Sequence, residues 1–177
     1  VQDITPPTIT CADQTTPINC PATPAWVPPT ATDACDQTVA ITFSDSSTPG
    51  SCPGTYSTTR TWTATDDCGN TATCSRTIVV QDITAPAITC APNITIECDE
   101  STLPPNTGST TATDACDTQP SITFNDVTFQ VELCPEEYFI FRTWSVFDDC
   151  GNSATCTQVI SVMDNTPPVI VCPPDVT

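Results

Sequence analysis

Two stretches of the chain have a strand-like period of two residues, with a Tyr, an Arg and a Trp at matching alternate positions. The first covers residues 56–65 and the second residues 138–147. The shared faces carry Tyr56, Arg60, Trp62 and Ala64 in the first stretch, and Tyr138, Ile140, Arg142, Trp144 and Val146 in the second. A period of two residues is typical of a β-strand with one buried face. We find no helical period, so the pattern predicts an all-β protein.

The blocks around these strands occur twice, in the same order, at an offset of about 80 residues. Each alternating stretch is followed by Asp-Asp-Cys-Gly-Asn, at Asp66 and again at Asp148. Asp-Ala-Cys-Asp begins at Asp33 and again at Asp114. The number and spacing of the strands favour tandem Ig-like antiparallel β-sandwich repeats in a linear array, stapled by disulfides. The predicted domains are residues 1–81, residues 82–163, and residues 164–177 as the start of a third repeat.

The cysteines follow the same register. Six positions recur: Cys11, Cys20, Cys35, Cys52, Cys68 and Cys74 in the first repeat, and Cys90, Cys98, Cys116, Cys134, Cys150 and Cys156 in the second. The thirteenth cysteine, Cys172, matches Cys11 and Cys90, so we expect the chain to be part of a longer polypeptide that continues the array. Such a cysteine density in small domains is typical of an oxidising, extracellular setting.

Charge narrows the possible partners. The formal net charge is −18, and the cationic residues are Arg60, Arg76 and Arg142 alone. No basic surface is available to neutralise nucleic-acid phosphates, so nucleic-acid binding is excluded. No apolar run is long enough to cross a bilayer, and we expect no direct membrane insertion. Clustered carboxylates instead attract a hard cation such as Ca²⁺.

Catalysis lacks the necessary groups. Without His or Lys, neither a Ser-His-Asp nor a Cys-His site can be built. The cysteine spacings do not suit a zinc knuckle, and the paired Asp residues lie in turn sequences rather than in an apolar cleft. We therefore expect no enzyme activity.

The recurring blocks resemble a known family. The opening Pro-Pro-x-Ile-x-Cys, the central Ala-Thr-Asp-Ala-Cys-Asp and the closing Thr-Asp-Asp-Cys-Gly-Asn-Thr-Ala-Thr-Cys are similar to the HYR (hyalin repeat) family. That resemblance implies Ig-like, extracellular domains associated with adhesion. The tandem six-cysteine form resembles arrays in giant bacterial surface proteins, including SprB-type gliding-motility adhesins. Cys20 and Cys52 are additions to the simpler family pattern.

Six cysteines allow 15 pairings, and the sequence does not choose among them. The Ig-like strand order suggests one scheme, since it places the first, third, fifth and sixth cysteines at one end of the domain and the second and fourth at the other. The hypothesis is Cys11–Cys74, Cys20–Cys52 and Cys35–Cys68, repeated as Cys90–Cys156, Cys98–Cys134 and Cys116–Cys150.

The same strand order brings acidic residues together at one end of each repeat. We predict one Ca²⁺ per repeat near the domain junction. The candidate ligands are Asp3, Asp33, Asp36, Asp66, Asp67 and Asn70 in the first repeat, and Asp82, Asp114, Asp117, Asp148, Asp149 and Asn152 in the second. The alternative is that these residues only cap turns, as Asp and Asn commonly do.

Arg60 and Arg142 recur beside Trp62 and Trp144. An Arg next to an aromatic ring suits either a ligand clamp or a structural stack in which a carboxylate or strand carbonyl holds the guanidinium. Identical placement in both repeats favours the structural interpretation. Trp26 has no aromatic counterpart in the second repeat and is expected to pack locally.

Three functions fit these features. The first is a structural segment of an extracellular cell-surface stalk or filament, which provides length, stiffness and resistance to unfolding. The second is a carbohydrate- or receptor-binding adhesion module, and the third is ice or mineral binding by Thr-rich faces. The equivalence of the repeats favours the first. The expected partners are neighbouring repeats of the same chain, with lateral self-association or surface polysaccharide as further candidates.

Overall fold

The computed structural model describes residues 2–131 and 136–171, and within these ranges it is built from strands apart from one four-residue helix. The first repeat contains β1 (Thr8–Thr10), β2 (Ile18–Asn19), β3 (Thr30–Thr32), β4 (Ala40–Pro49), β5 (Tyr56–Thr65) and β6 (Thr71–Gln81). The second contains β7 (Ala87–Thr89), β8 (Ile94–Glu97), α1 (Pro104–Thr107), β9 (Thr111–Thr113), β10 (Ser121–Gln130), β11 (Tyr138–Phe147) and β12 (Ser153–Met163). The all-β prediction is confirmed.

Both repeats have the same two-sheet topology. The larger sheet has the order β2-β6-β5-β4 in the first repeat and β8-β12-β11-β10 in the second. The smaller sheet pairs β1 with β3, and β7 with β9. The long strands are antiparallel neighbours, whereas the short β2 and β8 run parallel to the last strand of their repeat. This is the two-sheet, disulfide-stapled architecture expected of tandem β-sandwich repeats.

The alternating pattern explains the core of each large sheet. In β5 the apolar residues Trp62 and Ala64 are buried, and in β11 the buried apolar residues are Ile140, Trp144 and Val146. The second repeat also buries Ile96, Ile160 and Val162 in one apolar cluster with Ile140. Burial of one strand face removes apolar surface from water, and each Å² of it stabilises the fold by about 25 cal/mol. This burial supplies much of the stability of such small domains.

The outer strands β4 and β10 are exposed at every one of their ten residues. Each lies at the edge of its sheet. Several of their apolar side chains face solvent, including Phe43, Phe124 and Phe129. Edge strands of this kind offer unpaired backbone groups to a neighbouring molecule.

The chain forms two compact units whose limits differ from those of the sequence repeats. The first unit comprises Val1–Ala85, Asp114–Pro120 and Asp148–Asn152, and the second comprises Pro86–Thr113, Ser121–Phe147 and Ser153–Thr177. Two loops of the second sequence repeat therefore belong to the first unit. Among the described residues, no helix has the length and apolarity needed to cross a membrane.

Candidate disulfide and cation sites

One disulfide in each repeat joins its two sheets. Cys11 follows β1 and is bonded to Cys74 of β6, with the Cα atoms 5.9 Å apart. Cys90 follows β7 and is bonded to Cys156 of β12, with the Cα atoms 6.0 Å apart. Both distances are ordinary for a disulfide. These two bridges match the predicted scheme.

Two further disulfides pair residues of different sequence repeats. Cys20 is bonded to Cys116 and Cys52 to Cys150, with Cα separations of 6.0 and 5.3 Å. All four residues lie in the first compact unit. The predicted bridges Cys20–Cys52, Cys35–Cys68 and Cys116–Cys150 are therefore not those of the structure. The predicted Cys98–Cys134 bridge involves Cys134, which lies outside the described residues.

The hypothesis placed Cys20 and Cys52 at the same end of the first repeat, which agrees with the structure. It was wrong in pairing them with each other and not with cysteines of the second repeat. The N–H of Cys20 donates to the carbonyl of Gln81, where β6 ends. Cys52 lies in the turn after β4, and Tyr56, which begins β5 after this turn, is paired with Val80 near the same end of β6. The chain leaves the first repeat at this end, so loops of the second repeat meet Cys20 and Cys52 first.

Three described cysteines carry no disulfide: Cys35, Cys68 and Cys98 are all exposed. The thiol of Cys35 lies in an acidic setting, and the charge of Asp3, followed by partial desolvation and the nearby Asp33 and Asp36, raises the pKa of Cys35 above its ordinary value. Partial desolvation, followed by the charge of Asp164, likewise raises the pKa of Cys98.

The acidic residues do come together in each repeat. Oxygen atoms of Asp3, Asp36 and Asp66 lie within 4.8 Å of one another, and so do those of Asp82, Asp114 and Asp148. Asp33 joins Asp3 and Cys35 in an overlapping group. Ca²⁺ binds oxygen at 2.3–2.6 Å, so ligands on opposite sides of the ion are about 5 Å apart. The two carboxylate triads have the size of a Ca²⁺ shell.

One carboxylate oxygen in each triad has no hydrogen-bond partner. These atoms are Oδ2 of Asp3 and Oδ2 of Asp82, and both are buried. Asp82 as a whole is only 8% exposed. A buried anionic oxygen without a donor is costly unless a cation or water meets it. Asp3 and Asp82 therefore fit a cation better than they fit turn capping alone.

Turn capping nevertheless occupies other oxygens of the same clusters. Oδ1 of Asp66 accepts hydrogen bonds from the N–H groups of Cys68 and Asn70 at 3.0 and 2.8 Å, and Oδ1 of Asp148 does the same for Cys150 and Asn152 at 2.9 and 2.8 Å. Burial raises the pKa of Asp66 and Asp148, but hydrogen bonds led by the side chains of Asn70 and Asn152 outweigh it and leave each pKa below its ordinary value. Both carboxyls are thus held ionised.

The other predicted ligands either make hydrogen bonds within the clusters or lie outside the two triads. The side-chain amide of Asn70 donates to Oδ2 of Asp66 at 2.7 Å and to the carbonyl of Asp3 at 3.4 Å, so it holds these two residues together. Asn152 does the same for Asp148 and Asp82 at 2.8 and 3.3 Å. The carboxylate of Asp117 accepts hydrogen bonds from the N–H groups of Gln119 and Asp149. Asp67 and Asp149 are exposed and belong to neither triad.

Arg142 occupies a fully buried position in the second unit. Its guanidinium donates to both carboxylate oxygens of Asp126 at 2.8 Å, to Oγ1 of Thr107 at 3.0 Å and to the carbonyl of Thr102 at 2.8 Å. It also lies over the rings of Phe124 and Trp144, 4.3 and 5.8 Å from their centroids. This agrees with the structural interpretation of the Arg–Trp pair.

The equivalent Arg60 is more accessible and borders a pocket. Its guanidinium pairs with both oxygens of Asp45 at 2.7 Å and lies over the rings of Phe43 and Trp26. Trp26 packs edge-on against Trp62, with ring centroids 5.7 Å apart. A cavity of about 260 Å³ is lined by Trp26, Pro28, Pro29, Ile41, Phe43, Arg60 and Trp62.

Gln158 is among the buried polar residues that the sequence analysis did not single out. Gln158 is fully buried, accepts a hydrogen bond from the indole N–H of Trp144 at 3.3 Å, and donates to the carbonyls of Pro92 and Thr107 at 2.8 and 2.6 Å. Its position two residues after Cys156 is taken by Arg76 in the first repeat. Because the two repeats carry different residues at this position, the repeat pattern did not indicate a buried hydrogen-bonding role for Gln158.

Comparison with known proteins agrees with the repeat pattern. Residues 2–80 match the model of the HYR domain family. The chain is also 32% identical over 191 aligned residues to hyalin from Strongylocentrotus purpuratus, in an alignment that covers 99% of this chain and 15% of hyalin. The chain therefore spans only a small part of the length of that relative. Residues 2–80 form a HYR domain, and the second repeat carries the same blocks in the same order.

Proposed function

We propose that this chain is a structural repeat segment of an extracellular cell-surface adhesin stalk or filament. The observation that carries the proposal is the pair of bridges Cys20–Cys116 and Cys52–Cys150, which link one sequence repeat covalently to loops of the next. A module that acted alone would need only the bridges within each repeat. The four disulfides also fit an oxidising, extracellular compartment.

The two bridges within repeats, Cys11–Cys74 and Cys90–Cys156, limit how far a pulled chain can extend. The shortest covalent path runs through residues 1–11, 74–90 and 156–177, because Cys11–Cys74 and Cys90–Cys156 short-circuit the rest. At about 3.6 Å per residue this path measures about 180 Å, against about 640 Å for the reduced chain. We expect single-molecule pulling to give these two limits. An oxidised chain that extends as far as the reduced one would contradict the mechanical role.

The proposal includes one Ca²⁺ per repeat, bound to Asp3 or Asp82 and the other carboxylates of its triad. The support is the unpartnered Oδ2 of Asp3 and of Asp82 within carboxylate triads. With a dissociation constant of roughly 10⁻⁴–10⁻³ M, about 10 mM Ca²⁺ stabilises a site by about 1.4–2.7 kcal/mol. EDTA should then lower the melting temperature on the order of 5 °C.

A matched pair of variants separates cation binding from turn capping. Asp82→Asn removes the charge of the triad carboxylate whose buried Oδ2 has no hydrogen-bond donor, so we expect it to abolish the Ca²⁺ response of its site and to leave the EDTA-treated protein at least as stable as wild type. Asp149→Asn, which alters an exposed neighbour outside the triad, should retain the response. Equal melting curves with EDTA and with Ca²⁺ for the wild type would remove calcium from the proposal.

Direct adhesion is the second candidate, and the pocket around Trp26 favours it. Aromatic faces with an adjacent Arg suit the apolar face and hydroxyl groups of a sugar. Binding to a polysaccharide array that disappears in Trp26→Ala but persists in Phe129→Ala, which alters an exposed ring elsewhere, would support this function. Absence of binding by the wild type would leave the structural role alone.

Lateral self-association is the remaining partner proposal. The edge strands β4 and β10 supply exposed apolar side chains at a sheet edge, where a second molecule can pair. Sedimentation at increasing concentration tests it, and Phe129→Lys should weaken any association through β10. A bacterial adhesin as the host protein likewise stays a prediction.

A further inference from the structure

The disulfides of the structure follow a rule written in repeat positions. The first and sixth cysteines of a repeat bond to each other, as in Cys11–Cys74 and Cys90–Cys156. The second cysteine bonds to the third of the next repeat, as in Cys20–Cys116. The fourth bonds to the fifth of the next repeat, as in Cys52–Cys150.

This rule accounts for each exposed thiol in the described part of the chain. Cys35 and Cys68 are the third and fifth cysteines of the first repeat, and their partners under the rule belong to a preceding repeat. Cys98 is the second cysteine of the second repeat, and its partner belongs to a following one. Cys35 and Cys68 are not bonded to each other, although both are exposed.

The loops that carry Cys35 and Cys68 have the hydrogen bonds of their bridged counterparts. The N–H of Cys35 donates to Oδ1 of Asp33 at 2.8 Å, as that of Cys116 does to Asp114 at 2.8 Å. The N–H of Cys68 donates to Oδ1 of Asp66 at 3.0 Å. The equivalent bond from Cys150 to Asp148 is 2.9 Å.

A further bond ties the two loops of each repeat together. The N–H of Asp67 donates to Asp36 at 2.7 Å, and that of Asp149 donates to Asp117 at 3.0 Å. The unbridged pair therefore has the loop geometry that accepts two disulfides in the second repeat.

The segment before Cys98 likewise repeats the segment before Cys20. Oδ1 of Asn19 accepts the N–H of Ile83 at 3.0 Å, which holds the chain as it leaves the first repeat. Oε2 of Glu97 accepts the N–H of Asn165 at 3.0 Å, at the equivalent point after the second repeat. Both short strands run parallel to the last strand of their repeat.

We propose that Cys35 and Cys68 form disulfides with a preceding repeat of the same six-cysteine kind, and that Cys98 forms one with a following repeat. Each junction is then stapled twice, and the array is a continuous covalent ladder rather than a row of separately closed domains. Both thiols of a pair lose a proton and one electron as the S–S bond forms. A small-molecule disulfide such as oxidised glutathione takes up the two electrons and two protons and is released as two thiols.

The test is a fusion of residues 1–161 to a second complete copy, residues 1–177. Val1, Gln2 and Asp3 of the second copy then stand where Val162, Met163 and Asp164 continue the natural spacing. The protein is refolded in a glutathione redox buffer, alkylated, digested with pepsin and mapped without reduction. We expect a peptide that links Cys98 of the first copy to Cys35 of the second, and protection of the second copy's Cys68 from alkylation.

The same chain supplies its own controls. Cys35 and Cys68 of the first copy have no preceding repeat, so they should remain alkylated. Cys98→Ser in the first copy should expose Cys35 of the second copy and leave both Cys11–Cys74 bridges intact, which shows that the repeats are folded. A Cys35–Cys68 peptide, or full alkylation of Cys35 in both copies, would overturn the proposal. Pulling experiments on the single chain test the stalk role separately, so the two claims can fail independently.

Discussion

The substitution Arg142→Met should destabilise the second repeat far more than the equivalent Arg60→Met destabilises the first. Arg142 is fully buried and donates four hydrogen bonds to three residues, whereas Arg60 keeps 19% of its side chain exposed and has Asp45 as its ion-pair partner. Methionine preserves much of the apolar stem in both cases. The comparison therefore isolates what burial and extra hydrogen bonds contribute.

The expected magnitudes follow from these surroundings. Breaking a buried ion pair by removing one partner costs about 3–5 kcal/mol. Asp126 keeps 30% of its side chain exposed and can regain water, so we expect the lower end, about 3 kcal/mol. The Arg60–Asp45 pair is accessible to water, so its loss should destabilise the first repeat far less.

Hydrogen exchange followed by mass spectrometry reads each repeat separately. Since about 1.4 kcal/mol corresponds to a tenfold change in an equilibrium constant, amides of β11 should exchange about 100-fold faster in Arg142→Met. Amides of β5 should change by less than about tenfold in Arg60→Met. Equal effects of the two variants, or no effect of Arg142→Met, would refute the energetic distinction between the two sites.

Three further predictions concern single features. The guanidinium of Arg60 holds the pKa of Asp45 below its usual value. The pair therefore stabilises the fold above the ordinary Asp pKa of about 3.9, and this contribution is lost as the pH falls through the pKa of the folded state. Carbon-13 NMR should show that the pKa of Asp45 returns to its ordinary value in Arg60→Met. Replacing Cys11 and Cys74 together by Ser should cost about 4 kcal/mol, measured by urea unfolding, because the closed loop spans 63 residues. Gly54→Ala should cost roughly 1 kcal/mol in thermal melts, since Gly54 has φ +75° and the new Cβ meets the carbonyl of Cys116 at 3.2 Å.

The sequence predicted the strands well because their cause is local. Alternation in residues 56–65 and 138–147 reports directly which side chains face the core, and the buried Trp62 and Trp144 confirm it. The hypothesis from the Ig-like strand order also contained the Cys11–Cys74 pairing, which matches the structure. These features need no knowledge of a neighbour.

The pairing of Cys20 and Cys52 could not be predicted in the same way. Their place at the exit end of the repeat was foreseeable, but their partners Cys116 and Cys150 are 96 and 98 residues away. Choosing them requires knowing that loops of the second repeat fold into the first compact unit. Among the acidic residues, the sequence indicated the clusters, whereas the unpartnered oxygen of Asp82 emerged only from the hydrogen bonds.

The most direct test of the account is a non-reducing peptide map of the folded 177-residue chain. Digestion with pepsin at acid pH suppresses thiol–disulfide exchange because thiolate is absent. We expect peptides that link Cys20 to Cys116 and Cys52 to Cys150, with Cys35 and Cys68 alkylated. Peptides that link Cys20 to Cys52 and Cys116 to Cys150 would contradict it, since each repeat would then be closed on itself.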